Sequence, residues 1–294
     1  MKLSIITINY NNAEGLRKTL ASVASQTYHD IEHIIIDGGS TDGSVDVIKE
    51  YVRNVERMNE LTNEGIHVVW LSEPDKGIYN AMNKGIRKAT GEYIQILNSG
   101  DILAAPDVTE RMVSALAQVK SEELRGTSEE ISIPILYGNM VKYDYNSNKV
   151  IGKSREVEYS LRQYYSSTMN HDCCYIHRSV YEKYGLYDES LKIVSDWKWF
   201  LQAIGLGNVK PVYVDIDVTI FDCSGISETN LELRNKERRQ VLEEVLPPAI
   251  LADYDKYAFP MEQMKRLRNH HLYMLVFFIE RVLFKLEKWH ILRK

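Results

Sequence analysis

The fold is decided by residues 31–42, which read IEHIIIDGGSTD. The isoleucine-rich run Ile31–Ile36 is typical of a buried strand, and a polar turn that begins at Asp37 follows it at once. Thr41 or Asp42 then offers a side-chain oxygen that can cap a helix predicted to continue through Tyr51. This stretch therefore predicts a strand, a tight polar turn and a helix in direct succession.

The same unit recurs on both sides of this stretch. The additional predicted strands are Leu3–Ile8, His67–Leu71 and Tyr93–Leu97, and the additional predicted helices are Glu14–Ser25 and Gly77–Ala89. Because strands that alternate with helices at this spacing form βαβ units, the pattern predicts an α/β fold with a mostly parallel central sheet flanked by helices.

The chain after residue 101 is less regular, which predicts a mixed or antiparallel arrangement. Its predicted strands are 135–143, 150–153, 173–177 and 210–216, and a helix is predicted at 195–205. Residues 121–132 are polar and read as an exposed loop, and residues 146–148 read as a turn. From Glu228 onward the pattern is helical, with breaks at Pro247-Pro248 and Pro260.

Composition and charge exclude several classes of protein. The chain has 294 residues, three cysteines and a net charge of -5. Three irregularly spaced cysteines favour a reducing compartment over a disulfide framework, and neither a signal peptide nor a membrane-spanning segment is expected. We therefore predict a cytoplasmic protein. An acidic balance argues against nucleic-acid binding, since nucleic-acid binders need clustered Lys and Arg.

The charge is unevenly distributed. Residues 260–294 carry eight Lys or Arg against three Glu, a net of +5, so residues 1–259 carry -10. Apolar positions recur through residues 264–290, which predicts a basic amphipathic helix that lies on an anionic membrane surface. Packing on the catalytic domain or on a second copy of the chain, as a homodimer, is the alternative.

Polar clusters follow four of the predicted strands. They begin at Asn9, Asp37, Glu73 and Asn98. In parallel sheets ligands bind at the carboxyl ends of the strands, so these clusters predict a binding site. The sequence has no glycine-rich dinucleotide or P-loop motif, no GxSxG motif and no HExxH motif. An acidic site that holds phosphate without these cradles usually recruits a divalent cation.

Several of these segments in order resemble one known family. The segments are SIIT at 4–7, TLASVASQTY at 19–28, EHIIIDGGSTDG at 32–43, SEPDKGIYNAMNKG at 72–85 and NSGD at 98–101. Together they resemble family 2 glycosyltransferases of the GT-A fold, and the fourth resembles a subgroup from bacterial exopolysaccharide and surface-glycan assembly. The resemblance implies a catalytic domain at 1–225, with a nucleotide-binding half (1–101) and an acceptor half (102–225). Residues 226–294 would form a helical C-terminal extension.

The resemblance assigns a set of residues to the nucleotide-sugar donor. They are Thr7, Asn9, Tyr10, Asp37, Asp75, Asn83 and Asn98. A carboxylate accepts from an imide N–H, and an aromatic ring offers a stacking face. Three alternatives stay open: Asp37 as a turn residue, Asp75 as a helix cap, and Asn83 as a surface position on its helix.

The NSGD segment resembles the family's metal-binding acidic motif, commonly DxDD, but departs from it. Asn98 and Gly100 stand where the motif has acids, which leaves Asp101 as its one carboxylate. One carboxylate together with diphosphate oxygens and water is an ordinary shell for Mg²⁺, so Asp101 is the expected ligand for Mg²⁺ or Mn²⁺. A cap or turn role for Asp101 is the alternative.

The acceptor side is assigned to residues of the second half. SDWKWF at 195–200 resembles the family's acceptor-side motif, which implies that Asp196 is the general base and that Trp197 offers a sugar-stacking face. His171 falls where relatives carry a polar acceptor-site residue. The alternatives are a first-turn helix residue for Asp196 and structural roles for Trp197 and His171. Trp199 is expected in the core, and Arg238 on a solvated helix face.

These expectations combine into one enzymatic hypothesis. We predict an inverting, metal-dependent glycosyltransferase that moves a sugar from a nucleotide-diphosphate donor, with UDP as the expected nucleotide, to a hydroxyl of a glycan or lipid-linked glycan. Its predicted location is the cytoplasm, peripheral on the inner face of the cell membrane through residues 260–294. Two alternatives are a nucleotide-sugar-binding protein without turnover and a membrane-surface scaffold.

Overall fold

The computed structural model describes residues 1–62, 65–123, 133–144, 149–222, 230–257 and 278–284. The chain divides into one compact unit, Met1–Val241, and a second, Leu242–Lys294. The predicted division at residue 225 concerns which residues are catalytic, and it stays a prediction. The turn predicted at 146–148, the break predicted at Pro260 and most of the predicted amphipathic helix lie outside the described residues.

The strands of the first unit all belong to one sheet. They are β1 (Leu3–Asn9), β2 (Ile31–Asp37), β3 (His67–Ser72), β4 (Tyr93–Ile96), β5 (Ile102–Leu103), β6 (Ile135–Asp144), β7 (Lys149–Lys153), β8 (Cys174–His177) and β9 (Pro211–Asp222). Each strand predicted from the sequence is present, and most bounds agree within about two residues. The exception is β9, which continues six residues beyond its predicted end.

The helices flank this sheet in the order of the chain. They are α1 (Ala13–Ala24), α2 (Ser44–Thr62), α3 (Ile78–Lys88), α4 (Val108–Glu123), α5 (Leu161–Ser166), α6 (Arg178–Tyr184), α7 (Ser195–Phe200) and α8 (Leu231–Val245). Residues 121–123, predicted as loop, continue α4. Helix α2, predicted to continue through Tyr51, ends eleven residues later at Thr62. In the second unit, residues 248–257 and 278–284 are helical, so the prediction of a helical C-terminal part is confirmed.

The sheet has a parallel half and a mixed half, as predicted. Its main order is β3-β2-β1-β4-β8-β6-β9-β5, and β7 pairs with β6. Strands β3, β2, β1 and β4 are mutually parallel. Beyond β4 the neighbours β8 and β6 are each antiparallel to the strand before them, whereas β9 is parallel to β6.

The register of the parallel half brings the polar clusters together. Asn9, the last residue of β1, pairs with Asp37, the last residue of β2, and Asp37 pairs with Ser72 at the end of β3. The strands themselves are buried along β1 and β2, because helices cover both faces of a parallel sheet. Apolar burial therefore fixes the strands, and the register places their polar ends at one edge.

The carboxylate of Asp42 makes hydrogen bonds to the first residues of two helices that begin at this edge. Asp42 Oδ2 accepts a hydrogen bond from the Ala13 backbone N–H at the start of α1 (2.8 Å), and its Oδ1 accepts from the Ser44 N–H at the start of α2 (3.1 Å). The predicted capping role of Asp42 is confirmed. It orients both helix N-termini at the polar edge of the sheet.

The helix predicted at 195–205 changes its hydrogen-bond pattern partway. The α-helical part is α7, and Leu201–Leu206 continue it as a π-helix. Such segments are rare and often lie near functional residues. Within the described ranges, no helix has both the length and the apolar character needed to cross a lipid bilayer.

Candidate functional site

Asp37 lies at the centre of the polar edge and holds the strand ends together. One oxygen accepts from Asn9 Nδ2 (2.8 Å) and Ser40 Oγ (2.6 Å), and the other accepts from Ser72 Oγ (2.6 Å) and the N–H groups of Ser40 and Gly39. Burial opposes ionisation of Asp37, but these hydrogen bonds hold its pKa below the ordinary value. Five donors fill the acceptor capacity of one carboxylate, so Asp37 orders the site from within.

The predicted first-strand residues take different positions. Thr7 is buried, and its Oγ1 lies 3.0 Å from Nε2 of His33, whose Nδ1 meets the Tyr51 hydroxyl at 2.7 Å. Burial lowers the pKa of His33 to about 3, which keeps the ring neutral. Tyr10, in contrast, is 68% exposed. Of these residues, Tyr10 offers a ring to a ligand, whereas Thr7 belongs to an interior network.

Asp75 carries an unused buried oxygen at this edge. Its Oδ1 is paired with Lys84, which also lies 2.8 Å from Glu73, whereas Oδ2 has no hydrogen-bond partner among the described residues. A Cβ atom at Gly38 would come within 3.2 Å of this Oδ2 and within 3.1 Å of the Tyr10 ring. Asp75, Gly38 and Tyr10 therefore border one small space.

Asn83 is buried and is committed to protein contacts. Its Nδ2 donates to Tyr187 O and to Glu189 Oε1, both at 2.8 Å, and its Oδ1 accepts from the Tyr187 N–H at 3.0 Å. These bonds fasten α3 to the segment that leads into α7. The predicted donor contact of Asn83 stays a prediction, and the structure supplies a structural role for this residue.

The turn after β4 is held by α1. The hydroxyl of Thr19 donates to Asp101 O (2.7 Å) and accepts from the Gly100 N–H (2.9 Å), and Asn12 Nδ2 donates to Ser99 O (3.1 Å). Gly100 has a φ of +108°, a backbone conformation that residues with a side chain rarely adopt. An acidic residue at position 100 would therefore be strained in the turn that this chain forms.

The surroundings of Asp101 fit a cation that a bound diphosphate also coordinates better than a cation that protein side chains hold alone. Its side chain is almost fully buried, and it is the one carboxylate in residues 98–101. The described residues contain no group of three or more His, Cys, Asp or Glu side chains placed to hold a metal ion. A divalent cation prefers six or more oxygen ligands, so a bound diphosphate would have to complete the shell around Asp101.

A chain of hydrogen bonds joins the two halves of the site. Asn98 Nδ2 lies 3.2 Å from His171 Nε2, His171 Nδ1 lies 3.2 Å from Asp196 Oδ2, and the Tyr79 hydroxyl lies 2.9 Å from Asp196 Oδ1. The side chains of Asp196 and His171 are 17% and 18% exposed. The structure thus brings Asn98, His171 and Asp196 together, and adds Tyr79.

Electrostatics in this chain favour an ionised Asp196. Burial opposes its ionisation, but His171 and Tyr79 hold its pKa below the ordinary value. Burial likewise disfavours charge on His171, yet Asp196, with smaller contributions from Asp172 and Asp101, raises the pKa of His171 to about 8. These two shifts favour an ionised Asp196 beside a His171 ring that carries a proton on Nδ1.

Asn98 can serve either state of His171. With Nδ2 towards the ring, Asn98 donates to Nε2 of a neutral imidazole, and Nδ1 carries the proton towards Asp196. Rotation of the amide would present Oδ1, which is buried and has no partner within the described part of the chain, to an Nε2–H group. An aspartate at position 98 could only accept.

The aromatic residues of α7 have separate surroundings. Trp197 is 3% exposed, donates from Nε1 to Tyr164 O at 2.6 Å, and has the Arg238 guanidinium 4.5 Å from its ring centre. Trp199 is buried beside Tyr181, as expected for a core residue. Little of Trp197 is open to a stacking sugar, so its predicted acceptor role stays a prediction.

Arg238 is not the solvated residue that the sequence suggested. Besides covering Trp197, it donates to the carbonyl oxygen of Ser167 at 2.9 Å. Burial, together with the nearby Arg234, lowers the pKa of Arg238, and the charge of Asp196 partly offsets this shift. Arg238 therefore belongs to the surroundings of Asp196, although 42 residues separate the two in the sequence.

Tyr79 was also missed, although it lies inside the SEPDKGIYNAMNKG segment. Its partner Asp196 is 117 residues away, so no spacing within the sequence joins them. The one available signal was the position of Tyr79 in the first turn of a helix that starts from the polar edge.

Comparisons with known proteins agree with this fold. The sequence model of the family described as "Glycosyl transferase family 2" matches residues 4–122. An uncharacterized glycosyltransferase of Mycobacterium tuberculosis is 31% identical over 230 residues, which is 76% of each chain.

Solved structures share the fold at low sequence identity. TarS 1–349 of S. aureus, in complex with UDP-GlcNAc, matches with a TM-score of 0.58 at 18% identity, over 82% of this chain and 64% of that one. The mannosyltransferase PcManGT of Pyrobaculum calidifontis, in complex with GDP-Man and Mn²⁺, matches with a TM-score of 0.57 at 16% identity, over 87% of this chain and 69% of that one.

Proposed function

The chain belongs to glycosyl transferase family 2, and from this premise we propose that it transfers a sugar from a nucleotide diphosphate to a hydroxyl group with inversion. It has the GT-A fold of that family, and it is an enzyme of the glycosyltransferase type.

The observation that carries the mechanism is the environment of Asp196. Tyr79 contacts one oxygen of its carboxylate and His171 contacts the other, and these contacts hold its pKa low. Part of the side chain is exposed. Each carboxylate oxygen has a second lone pair for an incoming hydroxyl. An alcohol becomes a good nucleophile when its proton is removed in the transition state, so an ionised carboxylate at this place suits a general base.

The proposed step conserves atoms and charge. The acceptor O–H bond breaks, its proton moves to Asp196, and the acceptor oxygen forms a bond to the anomeric carbon. The bond from that carbon to the phosphate oxygen breaks, and its electron pair leaves with the nucleoside diphosphate. A single displacement from the face opposite the leaving group inverts the anomeric configuration.

Unused oxygens at the strand ends support a nucleotide donor. Asn9 Oδ1, Asp75 Oδ2 and Asn98 Oδ1 are buried acceptors without a partner in the described residues, and Tyr10 lies exposed beside Asp75. Nucleotide sugars supply the matching donors as ring N–H and hydroxyl groups.

A uridine donor fits Asp75 better than a guanosine donor. Lys84 occupies one oxygen of Asp75, so one remains for the single imide N–H of uracil, whereas guanine presents two adjacent donors. The related structures contain UDP-GlcNAc in one case and GDP-Man in the other, which supports a nucleotide sugar as the donor.

A divalent cation fits the proposed reaction as a partner of the diphosphate. Asp101 would be its protein ligand, and the cation would neutralise charge on the leaving diphosphate. Because Asp101 alone cannot complete a coordination shell, we expect Mg²⁺ or Mn²⁺ to bind together with the nucleotide.

The basic C-terminal segment supports an acceptor at a membrane surface. Residues 278–284 are helical, with Phe278, Ile279, Leu283 and Phe284 each at least 49% exposed, and residues 260–294 carry a net charge of +5. A lipid-linked glycan acceptor on the cytoplasmic face of the cell membrane would suit this combination. The homodimer and the absence of nucleic-acid binding stay predictions.

Deletion of residues 260–294 tests the membrane proposal. The shortened chain should lose binding to vesicles that contain anionic lipid and should keep transfer to a soluble acceptor, because the described site lies within residues 9–238. Co-sedimentation with vesicles and a transfer assay measure the two properties. Unchanged vesicle binding would contradict the membrane role, and a full-length chain that binds vesicles but shows no transfer would favour a scaffold.

The mechanism is tested by the configuration of the product. Proton NMR of the newly formed glycoside should show the anomeric configuration opposite to that of the donor sugar. A product with the same configuration as the donor would contradict direct displacement. A protein that binds the donor and never releases nucleoside diphosphate would instead support the non-catalytic alternative.

A further inference from the structure

The hydroxyl group of Tyr79 has one proton to donate and lies within hydrogen-bond distance of two acceptors. Its side chain is 4% exposed, and its hydroxyl oxygen lies 2.6 Å from the carbonyl oxygen of Ile193 and 2.9 Å from Oδ1 of Asp196. A phenol hydroxyl donates one hydrogen bond and also accepts. At any moment, Tyr79 therefore donates to either the carbonyl or the carboxylate, and its oxygen can accept from a group that itself carries a proton.

The position of this hydroxyl is fixed by its helix. One turn beyond Tyr79, the side chain of Asn83 makes two hydrogen bonds to the backbone of Tyr187. The ring centres of Tyr79 and Tyr187 lie 5.8 Å apart. Burial, reinforced by the charge of Asp196, raises the pKa of Tyr79 well above its ordinary value. The hydroxyl thus keeps its proton and stays in place.

We propose that Tyr79 is a positioning residue that stabilises Asp196 in both of its protonation states. Before transfer, Tyr79 donates to the Asp196 carboxylate. After transfer, the protonated carboxyl group donates to the Tyr79 oxygen, and Tyr79 donates to Ile193 O. The inference rests on the proposed role of Asp196 as the general base.

The proposed step needs no proton donor or acceptor besides these groups. The acceptor hydroxyl loses one proton, Asp196 gains it, and Tyr79 keeps its own proton while turning it from Asp196 to Ile193. Ile193 O lies two residues before the α7 helix begins, three before Asp196, so the same local segment supplies the base and the alternative acceptor. A buried carboxyl group that had to change state with no such partner would lose a hydrogen bond in one of its states.

The other groups around Asp196 do not replace Tyr79. His171 faces Oδ2, the opposite oxygen, and Arg238 and Tyr187 interact with Asp196 through its charge. The hydrogen bonds from His171 and Tyr79 hold the pKa of Asp196 low. Removal of the Tyr79 hydroxyl should therefore raise the pKa of Asp196, because the ionised form loses a donor.

Tyr79→Phe tests the proposal through its pH dependence. We expect kcat to fall about 10- to 100-fold, which is the effect of one hydrogen bond to a charged group, with donor affinity unchanged. The acidic limb of kcat/KM against pH should move to higher pH, since Asp196 must be ionised to act. Tyr181→Phe is the matched control, because it removes a buried hydroxyl that contacts Tyr187 and not Asp196.

A double variant separates this inference from the proposed function. If Tyr79 acts through Asp196, Tyr79→Phe should cause no further loss in an Asp196→Asn background. An unmoved acidic limb, or an equal loss of kcat in the Tyr181→Phe control, would overturn the positioning role. Full activity in Asp196→Asn would instead overturn the general base itself. Should Tyr79→Phe fail to fold, 3-fluorotyrosine at position 79 keeps the ring and makes the hydroxyl a stronger donor. The acidic limb should then move to lower pH, and an unmoved limb would overturn the positioning role.

Discussion

Asp196→Asn is expected to lower kcat for sugar transfer by about 10²- to 10⁴-fold, the usual contribution of a general base. The amide cannot take the acceptor proton, but it keeps the shape of the carboxylate and can still contact Tyr79 and His171. Donor binding should be preserved, because Asp196 is not one of the predicted donor contacts. Steady-state kinetics give kcat, and isothermal titration with the nucleotide sugar gives the donor Kd.

The matched control for this variant is Asp188→Asn. Asp188 also contacts α7, through Lys198 at 2.8 Å, but it belongs to no part of the proposed mechanism. It should reproduce any general effect of losing a carboxylate next to this helix while keeping transfer within a few-fold of the unmodified chain. Equal losses in both variants would mean that Asp196 matters for structure and not for proton transfer.

Asp101→Asn is expected to remove the dependence of transfer on a divalent cation. The carboxylate is the one acidic ligand in residues 98–101, and charge neutralisation of a leaving diphosphate contributes several kcal/mol. We therefore expect kcat/KM at saturating Mn²⁺ to fall about 10²-fold or more. The strengthening of nucleotide binding by Mn²⁺ should disappear, which titration with and without the ion will measure.

Asp107→Asn controls for the loss of a nearby acid. Asp107 lies six residues further along the chain, immediately before α4, is about half exposed, and pairs with Arg111 of α4. It should leave the response to Mn²⁺ unchanged. If Asp101→Asn responds to Mn²⁺ as the unmodified chain does, Asp101 is a turn residue and the proposed cation role is wrong.

The parallel half of the fold followed from local pattern alone. Apolar runs and helix starts predicted β1 to β4 and the helices between them, because burial on both faces of a parallel sheet leaves a clear signal in the sequence. The position of the polar edge followed from the same rule. The structure confirms that Asn9, Asp37 and Ser72 are neighbours in register.

The direction in which each polar side chain points did not follow from the sequence. Asp37 and Tyr10 both stand at strand ends, yet Asp37 turns inward to five donors whereas Tyr10 is exposed. Ser40 and Ser72 decide this difference by supplying hydroxyl donors. A pattern of residue types gives the edge of the sheet, but hydrogen-bond partners from separate strands determine which residues remain free for a ligand.

The assembly of the base was beyond sequence reasoning for a topological reason. Asp196, His171 and Tyr79 come from α7, the segment before β8, and α3, and they meet because β8 inserts beside β4. Helix α8 contributes Arg238, whose guanidinium group lies over the ring of Trp197. The family resemblance selected Asp196 and His171, but it gave no indication of Tyr79 or Arg238 as their surroundings.

Thermal unfolding with a panel of nucleotides should reveal a nucleotide-diphosphate site at the carboxyl ends of β1 to β4. The unmodified chain is heated with UDP, GDP, CDP or ADP, each with and without Mn²⁺. At one hundred times its Kd a ligand stabilises the folded state by about 2.7 kcal/mol. We predict the largest rise in Tm for UDP with Mn²⁺. A Tm that no nucleotide raises, with or without the ion, would rule out a nucleotide-diphosphate site at this edge of the sheet.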